Sequence, residues 1–180
     1  MKRSTTISVR TRPAVSKSSA KPLPAGGQLS AIICREVDIE SELRECYKIR
    51  KKVFVEEQKL FKKSDRDKHD AKAVHIAAIQ KGRIIGTVRV YQSKEGVWFG
   101  GRLAVLKGFR GRAGRLLVER AVETVKKKKA KKFLAYIQVK NAPFFQRCGW
   151  SKAGEIFQYH GVPHQLMEAD LKKGAKGRKG

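Results

Sequence analysis

The chain has 180 residues, with 42 Lys+Arg against 16 Asp+Glu and a formal net charge of +26. That length favours one domain with tails, and 41% hydrophobic residues are enough for a core, which excludes a fully disordered chain. No apolar run approaches the ~18 residues of a membrane helix, and the N-terminus lacks the apolar stretch of a secretory signal.

Residues 1–28 carry Lys2, Arg3, Arg10, Arg12, Lys17 and Lys21 with no acid, in a Ser/Thr/Pro/Gly-rich context. Such a segment buries too little apolar surface to offset its ordering entropy and reads as a disordered basic arm. Its composition is also that of an organelle transit peptide, the alternative to a cytoplasmic location. Leu29–Val37 reads as a first strand. Asp38 is placed to cap a helix with Ile39, Leu43, Cys46, Tyr47 and Val53 on one face. Residues 59–71 are a polar loop. Ala73–Ile79 and Ile84–Tyr91 read as strands joined by a Lys81-Gly82 turn. Glu95-Gly96 turns into a third strand, Val97–Val105, whose Gly100-Gly101 pair signals a bulge or a close backbone approach. A basic glycine loop, Lys107 to Arg115, precedes a helix with Leu117, Val118, Ala121, Val122 and Val125 at helical spacing. That helix ends in lysines, which suit a helix C-terminus. Phe133–Val139 is a strand, and Pro143 opens a short helix reaching Cys148. Ser151–Phe157 and Gln165–Leu171 are strands around a His160-Gly161 turn. The last residues, 172–180, form a second basic tail. The order predicts a mixed α/β domain over 29–171.

The strand, basic glycine loop and helix at 97–125 carry the strongest chemical signal. A helix N-terminus offers unpaired N–H groups and a positive dipole end. Gly111 and Gly114 allow a close backbone approach, and Arg110, Arg112 and Arg115 add charged donors, a design suited to pyrophosphate. Neither a P-loop nor a dinucleotide fingerprint is present. The cluster Asp65, Asp67, His69, Asp70 and His75 fails the calcium-loop template, with Asp70 at the sixth place and Ile76 at the twelfth, so no metal is expected. A role balancing nearby Lys and Arg, or as an acidic rim for an amine, fits it better. The three cysteines, Cys34, Cys46 and Cys148, are scattered, which excludes a disulfide framework and fits a reducing compartment. The run Lys126–Lys132 reads as a solvated helix end, with nucleic-acid binding as its rival.

Arg110-Gly111-Arg112-Ala113-Gly114, between Leu103-Ala104-Val105 and an amphipathic helix, resembles the acetyl-CoA loop of the GNAT superfamily of N-acyltransferases. The likeness extends to Arg50–Gln58, to Gly101-Arg102-Leu103-Ala104-Val105, to Gln138 with Phe144–Trp150, and to Gly154–Phe157 with Gly161–Met167. Together these span about residues 35–171, and the pattern is most similar to ElaA-type and nitrogen-starvation-associated members. The resemblance implies a mixed sheet splayed open in its middle. It implies acetyl-CoA in the split, pantetheine along Leu103, Ala104 and Val105, and pyrophosphate on Arg110, Gly111, Arg112, Ala113, Gly114 and Arg115. Asn141 and Phe145 would flank the cofactor. The acceptor would be a small-molecule or peptide amine, deprotonated by Glu57 or His75 and oriented by His164. Two features depart from the family pattern. Arg115 stands at a position that is usually small, and Phe145 stands where many relatives place a proton-donating Tyr. The rival readings are a nucleic-acid-binding module on this fold, using its basic tails, and an enzyme with another acyl donor.

Overall fold

The computed structural model describes residues 30–172; the basic segments at 1–28 and 172–180 lie outside the described residues except for Lys172. Seven strands form one mixed sheet in the order β1-β2-β3-β4-β5-β7-β6. β1 (Ile33–Glu36), β2 (Val74–Gln80), β3 (Arg83–Lys94) and β4 (Val97–Val105) are antiparallel neighbours. β5 (Lys132–Gln138) runs parallel to β4. β6 (Trp150–Tyr159) and β7 (Val162–Ala169) add an antiparallel hairpin beside β5.

Turn chemistry sets two of the hairpins. Lys81 and Gly82 have φ of 50° and 72°, and His160 and Gly161 have φ of 50° and 71°. A two-residue turn with both φ values positive matches the strand twist, and glycine at the second place lowers its cost.

Period-two alternation sends β2 residues Ile76 and Ala78 to one face and His75 to the other. The first face receives α2 (Arg110–Lys127) and α3 (Ala142–Arg147). α2 buries Ala113, Leu117, Val118, Ala121 and Val125 there, with Phe133, Trp150 and Met167 from the sheet. Its approach depends on Gly86, where a Cβ would stand 3.0 Å from Val105 Cγ2 and 3.1 Å from Leu117 Cδ1. The opposite face receives α1 (Glu40–Arg50) and the wide π-type turns that continue it over Lys51–Glu57. Ile49, Val53 and Phe54 pack there on Ala104.

Three boundaries differ from the sequence reading. Asp38 does not cap α1: Ile39 holds that position in extended conformation, without a side-chain cap. Ile39 is therefore exposed, and the buried face runs through Cys46, Ile49, Arg50 and Val53. α2 begins at Arg110, so the basic glycine segment forms its first turns rather than a loop. Gly114 is buried there, and a Cβ in its place would make an ordinary contact with Phe144 at 3.6 Å. At the other end the helix stops at Lys127, and Lys129 takes a left-handed φ of 56°. The lysines thus sit on the negative end of the helix dipole.

Candidate active site

β4 and β5 pair only through Val97–Gly100 with Lys132–Ala135. Beyond that point β4 stays with β3, and β5 stays with β7. A bulge helps to open the split. Thr87 faces Ala104 but Arg89 faces Gly101, so β4 carries one extra residue between them. An extra residue bends its strand and increases the local twist. Arg102 occupies this bulge at φ 57°, an uncommon backbone for a side chain of its size. Its guanidinium explains how the conformation is held. Nε donates to the Asp65 carbonyl at 2.8 Å, Nη2 donates to Asp67 at 3.1 Å, and the group lies 4.8 Å from the centre of the Phe61 ring.

A cavity of about 320 Å³ passes through the split. Val118, Ala121, Phe145 and Trp150 line it on the α2/α3 side. Tyr91, Phe99, Tyr136 and His164 line the α1 side. Two buried polar atoms in its lining, Gln138 Oε1 and Trp150 Nε1, have no hydrogen-bond partner.

Behind the cavity lies an ionic cluster. Arg50 is 1% exposed, and its guanidinium donates to Asp65 at 2.7 Å and to Asp70 at 2.6 and 3.1 Å. Arg89 donates to Asp67 at 2.8 and 2.5 Å and pairs with Asp70 at 2.7 Å. With Arg102, three arginines balance three aspartates. Burial would raise the Asp70 carboxyl, but bonds from Arg50, the Asp67 N–H and Arg89 outweigh it and hold the group well below the usual carboxylate range. The acidic cluster noted in the sequence is thus spent on arginines. Among the described residues no group of three or more His, Cys, Asp or Glu side chains is placed to hold a metal ion.

The residues singled out in the sequence divide between cavity and frame. Leu103, Asn141, Phe145 and His164 line the cavity. Ala104 and Val105 are buried, on opposite sides of the sheet, and only the β4 backbone there borders the split. Gly111 and Arg112 are exposed in the first turn of α2, where no acid and no side-chain cap competes for the N–H groups. Ala113 and Gly114 are buried against the core. Arg110 is tied to Glu57, and its Nε donates to the Val105 carbonyl at 3.2 Å. Arg115 pairs with Glu119 at 2.7 Å. Glu57 therefore fastens α2 to the end of the π-type turns and does not line the cavity; its neighbour Gln58 does, accepting from Gln138 at 3.1 Å. His75 also stands outside the lining. Its Nε2 donates to the Asp70 carbonyl at 3.2 Å, its Nδ1 is buried without a partner, and burial pushes its pKa down.

His164, by contrast, lines the cavity. It is 5% exposed, and its Nδ1 lies 2.8 Å from the Val162 carbonyl. A carbonyl only accepts, so in the neutral ring Nδ1 carries the hydrogen and Nε2 keeps a lone pair. Sequence reasoning missed Tyr91, Phe99, Arg102 and Trp150. The first two could have been found as aromatics at matching phases of adjacent strands; Arg102 carried no such signal.

The profile of the Acetyltransferase (GNAT) family matches residues 37–150. The chain belongs to this family. A Bacillus subtilis (strain 168) protein bearing an acetyltransferase name, BSU40680, is 31% identical over 141 residues, covering 74% of this chain and 92% of that one. The crystal structure of Escherichia coli ElaA superposes with a TM-score of 0.70 at 23% identity, covering 78% of this chain and 100% of that one. A structure of the CoA-dependent acyl-homoserine lactone synthase BjaI, with SAM and isopentyl-CoA, shares the fold at TM-score 0.68 and 17% identity, covering 78% of this chain and 84% of that one. The splayed sheet is the fold of GNAT acyltransferases, shared with ElaA, and the chain is an N-acyltransferase. Among the described residues no helix is long and apolar enough to cross a membrane.

Proposed function

We propose that the enzyme transfers an acetyl group from acetyl-CoA directly to a primary amine, carried by a small molecule or a peptide, in a reducing, cytoplasmic compartment. The observation that carries this reading is the cavity through the β4–β5 split, into which α2 sends Val118 and Ala121.

The residues present fit the coenzyme. The N–H groups of the first turn of α2, with exposed Gly111 and Arg112, suit a pyrophosphate. Arg110 and Arg115 shape that turn through Glu57 and Glu119. The β4 edge at Leu103–Val105 offers backbone donors and acceptors to an amide-bearing arm. The orphaned Gln138 Oε1 and Trp150 Nε1 add one acceptor and one donor, and a buried polar atom without a partner is costly. Asn141 and Phe145 close the α3 side.

Bound there, the coenzyme supplies an acyl group activated on a thiol leaving group. The protein's task is to deliver a neutral amine. His164 receives the amine's proton at Nε2, so that the nitrogen lone pair forms the new C–N bond as the C–S bond breaks. This assigns the base to His164 in place of Glu57 and His75. Phe145 has no proton to give, and a thiol that titrates near ~8.5 leaves acceptably without one.

Calorimetry tests the donor site. Acetyl-CoA is expected to bind the wild type saturably, and the double variant Arg110→Ala/Gly114→Glu is expected to lose at least ~10-fold in affinity. A carboxylate at position 114, near the start of α2, opposes the phosphates. Equal binding by both proteins would move the pyrophosphate elsewhere, and no binding to the wild type would refute the donor.

A further inference from the structure

The α1-facing side of the cavity is paved with rings. Tyr91 and Phe99 are cross-strand partners, with centroids 6.1 Å apart and planes 21° from parallel. Tyr136 follows on β5, 5.5 Å from Phe99, and Phe157 on β6 meets Tyr136 edge-on at 4.9 Å. The series returns along the β6–β7 hairpin. Tyr159 lies 5.4 Å from His164 and 4.4 Å from His160, and His160 lies 4.7 Å from Phe61 on the facing loop. Of these rings, Phe61, Tyr91, Phe99, Tyr136 and Tyr159 line the cavity together with His164.

Their exposure separates them from core aromatics. Tyr136 is 53% exposed, Phe157 36% and Tyr159 37%, whereas Phe133 and Trp150 across the sheet are buried. Clustered exposed rings beside a cavity mark a binding surface. Aromatic faces and edges favour another planar ring in stacked or edge-on contact.

Charge narrows the ligand further. The Asp, Glu, Lys and Arg side chains lining the cavity are Asp67, Arg89 and Arg102. They are committed to one another, with Asp67 gripped by Arg89 at 2.8 and 2.5 Å and by Arg102 at 3.1 Å. A second ammonium on the acceptor would find no uncommitted carboxylate. A carboxylate on the acceptor would find guanidiniums already neutralised.

The His69 imidazole already stacks on Tyr91 at 4.2 Å, which leaves Phe99 and Tyr136 open. We infer that the acceptor is a primary monoamine bearing a planar aromatic group, packed against Phe99 and Tyr136 with its nitrogen at His164. The inference rests on the proposed transfer reaction and names its substrate class. Two kinds of measurement on the full chain test it. With saturating acetyl-CoA, kcat/KM for 2-phenylethylamine is expected to exceed that for n-hexylamine about tenfold and that for putrescine by more. Tyr136→Ala and Phe157→Ala are expected to raise KM for 2-phenylethylamine about tenfold and KM for n-hexylamine much less, with acetyl-CoA affinity unchanged by calorimetry. Tyr136→Phe keeps the ring and is expected to keep the preference. Preference for putrescine or n-hexylamine, or an unchanged ratio in both alanine variants, overturns the assignment. If acetyl-CoA does not bind the wild type, the transfer reading fails separately. Titration of 2-phenylethylamine alone then decides whether the rings bind it: saturable binding lost in Tyr136→Ala supports the trough, and no binding overturns it.

Discussion

Replacing His164 by Gln is expected to lower kcat/KM for amine acetylation by about 10²–10⁴-fold, the range for loss of a positioned proton acceptor. Acetyl-CoA affinity is expected to stay within about twofold, because His164 enters the cavity from β7, on the side away from the first turn of α2. The split between kinetic constants distinguishes proton transfer from a packing defect: the loss is expected in kcat, with KM for the amine and the urea midpoint little changed. A variant that keeps the wild-type kcat would place the base elsewhere. The Val162 carbonyl makes the assignment sharp: it occupies Nδ1 at 2.8 Å and leaves Nε2 as the basic nitrogen.

Arg50→Met is expected to cost about 3–5 kcal/mol of folding stability by urea denaturation, the range for breaking a buried ion pair by removing one partner. Methionine keeps the apolar stem but supplies none of the donors that Asp65 and Asp70 now share. Asp70 would retain Arg89 and Asp65 would retain Arg102, so both carboxylates would be left half-satisfied in a buried site. A loss under 1 kcal/mol would show that the two remaining arginines suffice.

The same cluster fixes the acid limit of the fold. Asp70 and Asp67 are held below the usual 3.8 against the opposing effect of burial, by bonds from Arg50 and Arg89. A lowered carboxyl pKa contributes stability that is complete above 3.8 and is lost as pH falls toward the folded-state value. His75 acts in the same direction. Burial lowers it from 6.5, so below that pH the unfolded chain takes the proton first and stability begins to fall. Urea midpoints are expected to be flat near neutrality, to decline gently below about pH 6.5, and to drop steeply below about pH 4. Arg50→Met should weaken the steep part, because Asp70 then has less to lose on protonation.

Much of this architecture could be read from residue order. Val97–Val105 matches β4 end to end, and the Lys81-Gly82 and His160-Gly161 turns fall where glycine permits a positive φ. Those features depend on neighbours two or three residues apart. What could not be read depends on partners far along the chain. Nothing near Arg50 announces Asp65 and Asp70, and nothing near Arg89 announces Asp67. Glycines marked the region of the bulge, yet the left-handed residue is Arg102, held by loop contacts 35 to 37 positions away. The glycines at 111 and 114 suggested a loop because glycine weakens an isolated helix, but in the fold both lie inside α2, which buries Ala113, Gly114 and Leu117. The candidate bases follow the same logic. Glu57 and His75 drew attention by type and order, and only the fold shows that Arg110 and Asp70 already occupy them, whereas His164 faces the cavity.

The most direct test of the account is product analysis with purified enzyme, acetyl-CoA and 2-phenylethylamine. Free thiol and amide are measured together, by a thiol reagent and by mass spectrometry. One acetylated amine is expected per thiol released, with both falling together by about 10²–10⁴-fold in His164→Gln. Thiol released without amide, or amide formed at the wild-type rate in His164→Gln, would contradict it.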